Sequence, residues 1–259
     1  MNKTKKGSPL KRNAALTLGA MGVVYGDIGT SPIYAFNEAV HAGGDTRSEI
    51  LGVLSLVFWT LTIVVSIKYL IFVLNADNKG EGGTLAMFSQ FSEKIRSGRK
   101  GLMGFTVFIF LMAAALEFAD GILTPAISVT SAVEGVKTIN PELEFLVVPL
   151  TVLILAVLFI FQFKGTHKIG TIFGPVMVIW FFVIAFMGVS QIIKNPESLV
   201  ALNPIYALSF IQAHSFQTLF VMSSVILAVT GAEALYSDLG HFGKGPIRFG
   251  WFALAGLAL

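Results

Sequence analysis

The 259-residue chain contains no cysteine, which excludes a disulfide framework, thiol chemistry and cysteine metal sites. Its four histidines are scattered and show no metal-ligand spacing. Charge is scarce: Asp, Glu, Lys and Arg make up 13% of residues against 54% hydrophobic ones, and mean hydropathy is +0.77. A soluble domain needs a more charged surface than this. There is no GxxxxGKS or GxxxxGKT loop, no Ser-His-Asp arrangement and no soluble nucleotide domain. ATP-driven pumping, covalent catalysis and a bound cofactor are therefore not expected. The net charge of +3 does not point to nucleic acid, because the basic residues lie in loops beside apolar runs, as membrane topology requires.

The chain does have long apolar runs, sufficient to cross about 30 Å of hydrocarbon at about 1.5 Å per residue. They predict an all-α polytopic membrane protein. Spans are expected at about 13–40 (interrupted near 26–32), 50–74, 102–133, 145–163, 170–193 and 214–238 (interrupted near 230–233). A further span starts near Ile247 and is still apolar at Leu259, which reads as a fragment of a longer protein. The layout is then a cytoplasmic tail, 1–12, and a transmembrane domain, 13–259. Lys3, Lys5, Lys6, Lys11 and Arg12 before an apolar run could mark a secretory signal, but no cleavage pattern leads into soluble sequence. The first run is read as a retained helix. Across alternate loops, fourteen Lys and Arg fall on one side and three on the other, which puts the N-terminus in the cytoplasm of a multi-pass protein of the plasma membrane. Lys68, inside a span near its cytoplasmic end, is read as snorkelling. The segment 75–101 is expected to hold a short cytoplasmic amphipathic helix.

Two spans carry glycine beside an acid: Gly26-Asp27-Ile28-Gly29 in helix 1 and Thr230-Gly231-Ala232-Glu233 in helix 6. An odd number of helices separates them, so they enter the membrane from opposite sides, as in an inverted repeat. Broken helices in corresponding positions point to a transporter site at the bilayer midplane.

A carboxylate at the centre of a span costs about 2.5–3.5 kcal/mol. Asp27, Glu117, Asp120 and Glu233 all carry that cost. Asp120, Thr124 and Ser128 recur every four residues, on one helix face. Thr230 and Glu233 are three apart, and Asp27 and Tyr34 about two turns apart. Each span thus offers a carboxylate with hydroxyl oxygens, a donor set that suits a hard cation. Pro32 and Pro125 leave the carbonyls of Ile28 and Gly121 without their helical donors, adding backbone oxygens, although proline kinks in membrane helices are also often structural. Glu117, one turn before Asp120, reads either as a proton carrier or as a bond to a helix neighbour. Ala113, Ala114, Ala115 and Ala119 suit close helix packing.

These acids have no balancing base, so the cargo, a co-transported ion, or both should be positive. Two dissimilar broken helices favour a carrier over a channel, whose filter usually repeats around an axis. An organic amine or amino acid carrier and a K⁺ channel are the alternatives.

The stretches GVVYGDIGTSPIYAF, VSIKYL, ADNKGEGGT, ADGILTPAISVTSAVEG and TGAEALYSDLGHFGKGPIR resemble, in order and spacing, the Kup/HAK/KT potassium uptake transporters. The resemblance runs from about residue 14 to the end. It implies an APC-superfamily, LeuT-like fold of twelve helices plus a cytoplasmic C-terminal domain, of which this chain would hold helices 1–6 and the start of helix 7. It also implies K⁺ uptake coupled to H⁺ symport. Its matching K⁺ positions are Asp27, Tyr34, Asp120, Thr124, Ser128, Thr230 and Glu233, with Gly26, Gly29, Pro32 and Gly231 at the breaks. Some bacterial members carry Glu where this chain has Asp120, which leaves the proton carrier open between Asp120 and Glu233. Glu117 lies outside the motif. The partners implied are K⁺, H⁺ and the lipid bilayer, with a homodimer left open.

Overall fold

The computed structural model describes residues 9–91, 93–96, 101–162, 166–214 and 216–259, and among these it is helical apart from one isolated bridge between Asn78 and Glu81. Four stretches are long and apolar enough to cross a membrane: Arg47–Asn75, Met103–Ile139, Pro141–Ile160 and Ile172–Lys194. A fifth is the pair Gln217–Leu227 and Thr230–Ser237, bent by 45°. The chain is an all-α polytopic membrane protein.

The first expected span is cut into α1 (Pro9–Val23), α2 (Tyr25–Ile28) and α3 (Ser31–Gly43), of 15, 4 and 13 residues. None of these pieces is long enough to cross alone. The interruption is narrower than the sequence suggests: Gly26 and Asp27 sit within the single turn α2, and the flanking turns at Val24 and at Gly29–Thr30 keep their backbone in the right-handed helical region. Pro32 lies in the first turn of α3, where a missing N–H removes no helical bond.

Helix 2 starts as α4 (Arg47–Thr60) on a capping box, Thr46 and Glu49 each bonding the other's backbone N–H. It continues as a π-helix, Leu61–Phe72, and a 3-10 turn, Val73–Asn75. Two short helices, α5 (Thr84–Ser89) and α6 (Glu93–Arg96), stand where one amphipathic helix was expected. Helix 3 is α7 (Gly101–Ile139); it outruns its expected end, and Pro125 does not break it. A 3-10 turn (Pro141–Leu146) leads into α8 (Val147–Gln162), which is followed by α9 (Thr166–Lys194). A 3-10 segment, Pro196–Leu202, and α10 (Ile205–Ala213) then connect α9 to helix 6, in the stretch between two expected spans. Helix 6 is α11 (Gln217–Leu227), a 3-10 turn (Thr230–Glu233) and α12 (Ala234–Ser237). After α13 (Leu239–Phe242) come α14 (Lys244–Gly250), a π turn (Trp251–Ala255) and α15 (Gly256–Ala258).

Lipid tails are as apolar as leucine, so packing rather than water exclusion holds such helices together. The most extensive contact is α1 against α9, followed by α3 against α11. Glycines permit the first. A Cβ on Gly22 would stand 2.5 Å from the Gly174 nitrogen, and one on Gly174 would strike the Leu18 carbonyl oxygen. Backbone cannot yield as a side chain can. Tyr25, Ile28, Phe181, Leu235, Tyr236 and Ile247, fully buried, form the centre of the core around the two breaks. Tyr25 stacks on Trp251 at 6.2 Å and donates from its hydroxyl to the Ile247 carbonyl, fastening helix 1 to the last helical segment.

Gly174→Leu is expected to destabilise the detergent-solubilised protein by about 1–3 kcal/mol through overpacking at the α1–α9 crossing. Gly188→Leu on the same helix, where a Cβ meets nothing within 4 Å, is expected to change the thermal midpoint little. Equal midpoints for the two variants would count against that crossing.

Candidate ion-binding site

The helix 1 break orders its own carboxylate. Ser31 Oγ donates to Asp27 Oδ1 at 2.7 Å, and Tyr34 OH donates to Ser31 Oγ at 3.2 Å. Thr30 Oγ1 donates to the Asp27 carbonyl at 3.1 Å. The Gly29 carbonyl, freed at the break, accepts from Trp180 Nε1 of α9 at 2.9 Å. Such outside donors are what make a broken helix tolerable in lipid. Gly29 itself is required by closeness, since a Cβ there would stand 2.7 Å from Phe181 and 2.8 Å from Met177. Gly26 has open space beside it, and its role is not close packing.

The helix 6 break faces this carboxylate. Val229 leaves helical geometry at φ −118°, ψ 8°, and Thr230 Oγ1 turns back to the Leu227 carbonyl at 3.0 Å. At Gly231 a Cβ would fall on the Asp27 carboxylate, 2.9 Å from its Cγ. The two breaks thus touch through an acid and a bare backbone. Thr230 also lies beside the Tyr34 hydroxyl.

From helix 3, the Asp120 charge acts on Asp27 and Tyr34, and Thr124 Oγ1 donates to Asp120 Oδ1 at 2.8 Å. Ser128 Oγ is buried without a hydrogen-bond partner among the described residues. Asp27, Ser31, Tyr34 and Thr230 therefore gather where the two breaks meet, with Gly231 as the floor, and the Asp120–Thr124 pair of helix 3 lies near enough for its charge to act on them. Among the described residues no ion pair involves Asp27 or Asp120.

Glu233 is held elsewhere on the same break. Its carboxylate accepts from Tyr69 OH at 2.5 Å and from Thr84 Oγ1 at 3.3 Å. The charges of Glu117 and Lys68 act on it. Lys68 itself is exposed, with its ammonium 4.8 Å from the centre of the Tyr69 ring. The acids thus fall into two groups, Asp27 with Asp120 and Glu233 with Glu117. No cluster of three or more metal-ligating side chains occurs among the described residues. One or two carboxylates with hydroxyls and carbonyls suit a singly charged hard cation better than the carboxylate-rich cages of Ca²⁺. A cavity of about 520 Å³ bordered by Pro32, Phe36, Leu61, Ile184 and Trp251 is apolar and holds none of these acids.

Sequence reasoning missed Ser31, Tyr69, Thr84 and Trp180 as partners. Ser31 stands in the first break, Tyr69 in VSIKYL and Thr84 in GEGGT, so three of the four lie in stretches already singled out.

In the full-length protein, K⁺ is expected to raise the melting temperature by a margin that Gly231→Ala removes and Gly26→Ala preserves. A ligand at a hundred times its dissociation constant stabilises by about 2.7 kcal/mol. A K⁺-dependent shift kept intact in Gly231→Ala would separate the facing breaks from ion binding.

Residues 14–259 match the family described as the K⁺ potassium transporter integral membrane domain. Over 241 residues the chain is 53% identical to the "Probable potassium transport system protein Kup 2" of Mesorhizobium japonicum, covering 92% of this chain and 37% of that protein. It is 51% identical over 254 residues to the "Probable potassium transport system protein Kup" of Anaeromyxobacter dehalogenans, covering 96% of this chain and 37% of the relative. It is 50% identical over 246 residues to Kup 2 of Legionella pneumophila strain Lens, covering 95% and 39%. The chain therefore spans less than two-fifths of the length of these relatives. No solved structure matches it. With the family matched over nearly its whole length, the chain belongs to the Kup/HAK/KT potassium transporters, a family of transporters and not of enzymes.

Proposed function

We propose that this chain supplies the ion-handling part of a K⁺ uptake carrier of the plasma membrane, coupled to H⁺ and built on a LeuT-like inverted repeat. In this scheme residues 1–12 form the cytoplasmic tail and 13–259 the transmembrane part, and the protein carries no cofactor. The relatives' description as potassium transport proteins supports the cargo. The observation that carries the site is the Asp27 carboxylate seated against the Gly231 backbone, where two interrupted spans meet. An unwound backbone and half-helix ends supply oxygens that can replace an ion's hydration shell.

Asp27 provides the charge that draws K⁺ in. Tyr34, Thr230, Thr124 and Ser128 provide neutral oxygens, and the unpartnered Ser128 hydroxyl has a lone pair to offer. Asp120 brings a second negative charge to the Asp27 locus. One bound K⁺ then offsets part of a repulsion that would otherwise be costly away from water. The proton goes to Glu233 or Asp120. Glu233 is favoured, because its bonds to Tyr69 and Thr84 are separate from the Asp27 locus, so protonation there need not expel the ion.

Rb⁺ uptake by the full-length transporter tests this. Asp27→Asn and Asp120→Asn are each expected to lose about tenfold or more of the parent rate, the loss expected for a charged oxygen contact, and a proton uncoupler is expected to abolish uptake in the parent. Parent-level uptake in both variants would remove the site. Uncoupler-insensitive flux would remove the H⁺ coupling.

A further inference from the structure

The segment 76–84 between helices 2 and 3 is bonded closely to the inner half of broken helix 6. Asn78 and Glu81 exchange both backbone hydrogen bonds, at 2.9 and 3.0 Å, around Lys79 and Gly80 at φ 54° and 91°. This tight turn needs left-handed residues. The Ala76 carbonyl accepts from Tyr236 OH at 2.6 Å and from Gln90 Nε2 at 2.8 Å. Gly82 lies against Tyr236, where a Cβ would strike the Tyr236 carbonyl and stand 2.9 Å from its ring. Gly83, at φ 93°, starts α5 and turns Thr84 toward Glu233. A charge pair holds the other end: Lys244 Nζ donates to Asp77 Oδ1 at 2.5 Å, and Gly80 N–H donates to Asp77 Oδ2 at 2.9 Å. Arg248 Nε reaches the Leu70 carbonyl at 2.8 Å, tying the same basic segment to the end of helix 2.

The loop thus joins two things the rest of the fold keeps apart, an acid within helix 6 and a surface ion pair. We infer that Thr84 is a positioning residue for the Glu233 carboxylate, and that the Asp77–Lys244 pair is the latch that holds Thr84 in place. The inference rests on the uptake function proposed above and adds a control from the inner surface. With the latch closed, Thr84 and Tyr69 fix Glu233 in one orientation. With it open, the loop departs with Thr84, and Glu233 gains freedom and access to the loop side.

The latch is insensitive to pH in the neutral range. The Lys244 ammonium, and after it the Gly80 N–H, hold the Asp77 carboxyl below its ordinary range. A carboxyl with a depressed folded value stays ionised at neutral pH, and its pair is lost only as pH falls through that lower value. Movement of helix 6 or competing salt, not physiological protonation, is what opens it.

The experiment measures Rb⁺ uptake by the full-length transporter, normalised to protein in the membrane. Thr84→Val, which keeps shape and removes the hydroxyl, is expected to lower the maximal rate about tenfold, the scale of one hydrogen bond to a charged group. KM for Rb⁺ should stay within about twofold, since Thr84 does not touch the Asp27 locus. Thr84→Ser should restore the rate. Asp77→Lys should also lower the rate, and the swap Asp77→Lys with Lys244→Asp should recover it. A parent-like rate in Thr84→Val, or a Thr84→Ser variant as slow as Thr84→Val, would overturn the positioning role. A swap no faster than Asp77→Lys alone would overturn the latch. Uptake by the parent tests the transport function itself, and the ratios of variants to parent test this inference.

Discussion

The Asp27 carboxylate and the Gly231 backbone occupy adjoining space, and much of the structure follows from that contact. An acid in a span is costly, and Asp27 is met by the Ser31 hydroxyl on its own helix and by the bare Gly231 backbone of the helix 6 break. Helix 1 then needs help from outside, which Trp180 gives at Gly29. α9 must approach closely to give it, which accounts for the glycine crossing at Gly22 and Gly174 and for Gly29 under Phe181. Tyr25, one residue from the break, is bonded to the Ile247 carbonyl and anchors the arrangement to the last segment.

The second acidic group answers a different demand. Glu233 belongs to the same 3-10 turn as Gly231 but takes its bonds from helix 2 and from the loop that follows it. Gly231 borders the Asp27 carboxylate and Glu233 follows it two residues later on the same short turn, so any shift of the turn alters the surroundings of both acids. The π-helical stretch that presents Tyr69 fits this arrangement, because π geometry rotates side chains off the usual helical face and recurs at functional sites.

The breaks could be read from sequence, because glycine, proline and an acid stand out against an apolar background. The polar face of helix 3 could be read from its four-residue spacing. Pro125 shows the limit of such marks. It resembles Pro32 in sequence, yet α7 passes through it, since a long helix can absorb one lost bond where a glycine-flanked turn cannot. The extent of the first break was overstated for a related reason: Pro32 begins a helix instead of ending one. The segment 196–213 lies between two expected spans and carries no mark of its own, and its 3-10 helix and α10 pack against α4. The pairing of Glu233 was out of reach, although both of its partners stand in stretches the sequence singles out. Tyr69 and Thr84 lie 164 and 149 residues away in the chain, and no local pattern encodes a pairing at that range.

The most direct test of the central claim is the anomalous scattering of Rb⁺ bound to crystals of the full-length transporter. The account predicts a peak in contact with the Asp27 carboxylate and the backbone beside Gly231, lost when Na⁺ replaces Rb⁺. A peak bound by other residues, with Asp27 and the helix 6 break outside its coordination shell, would contradict it.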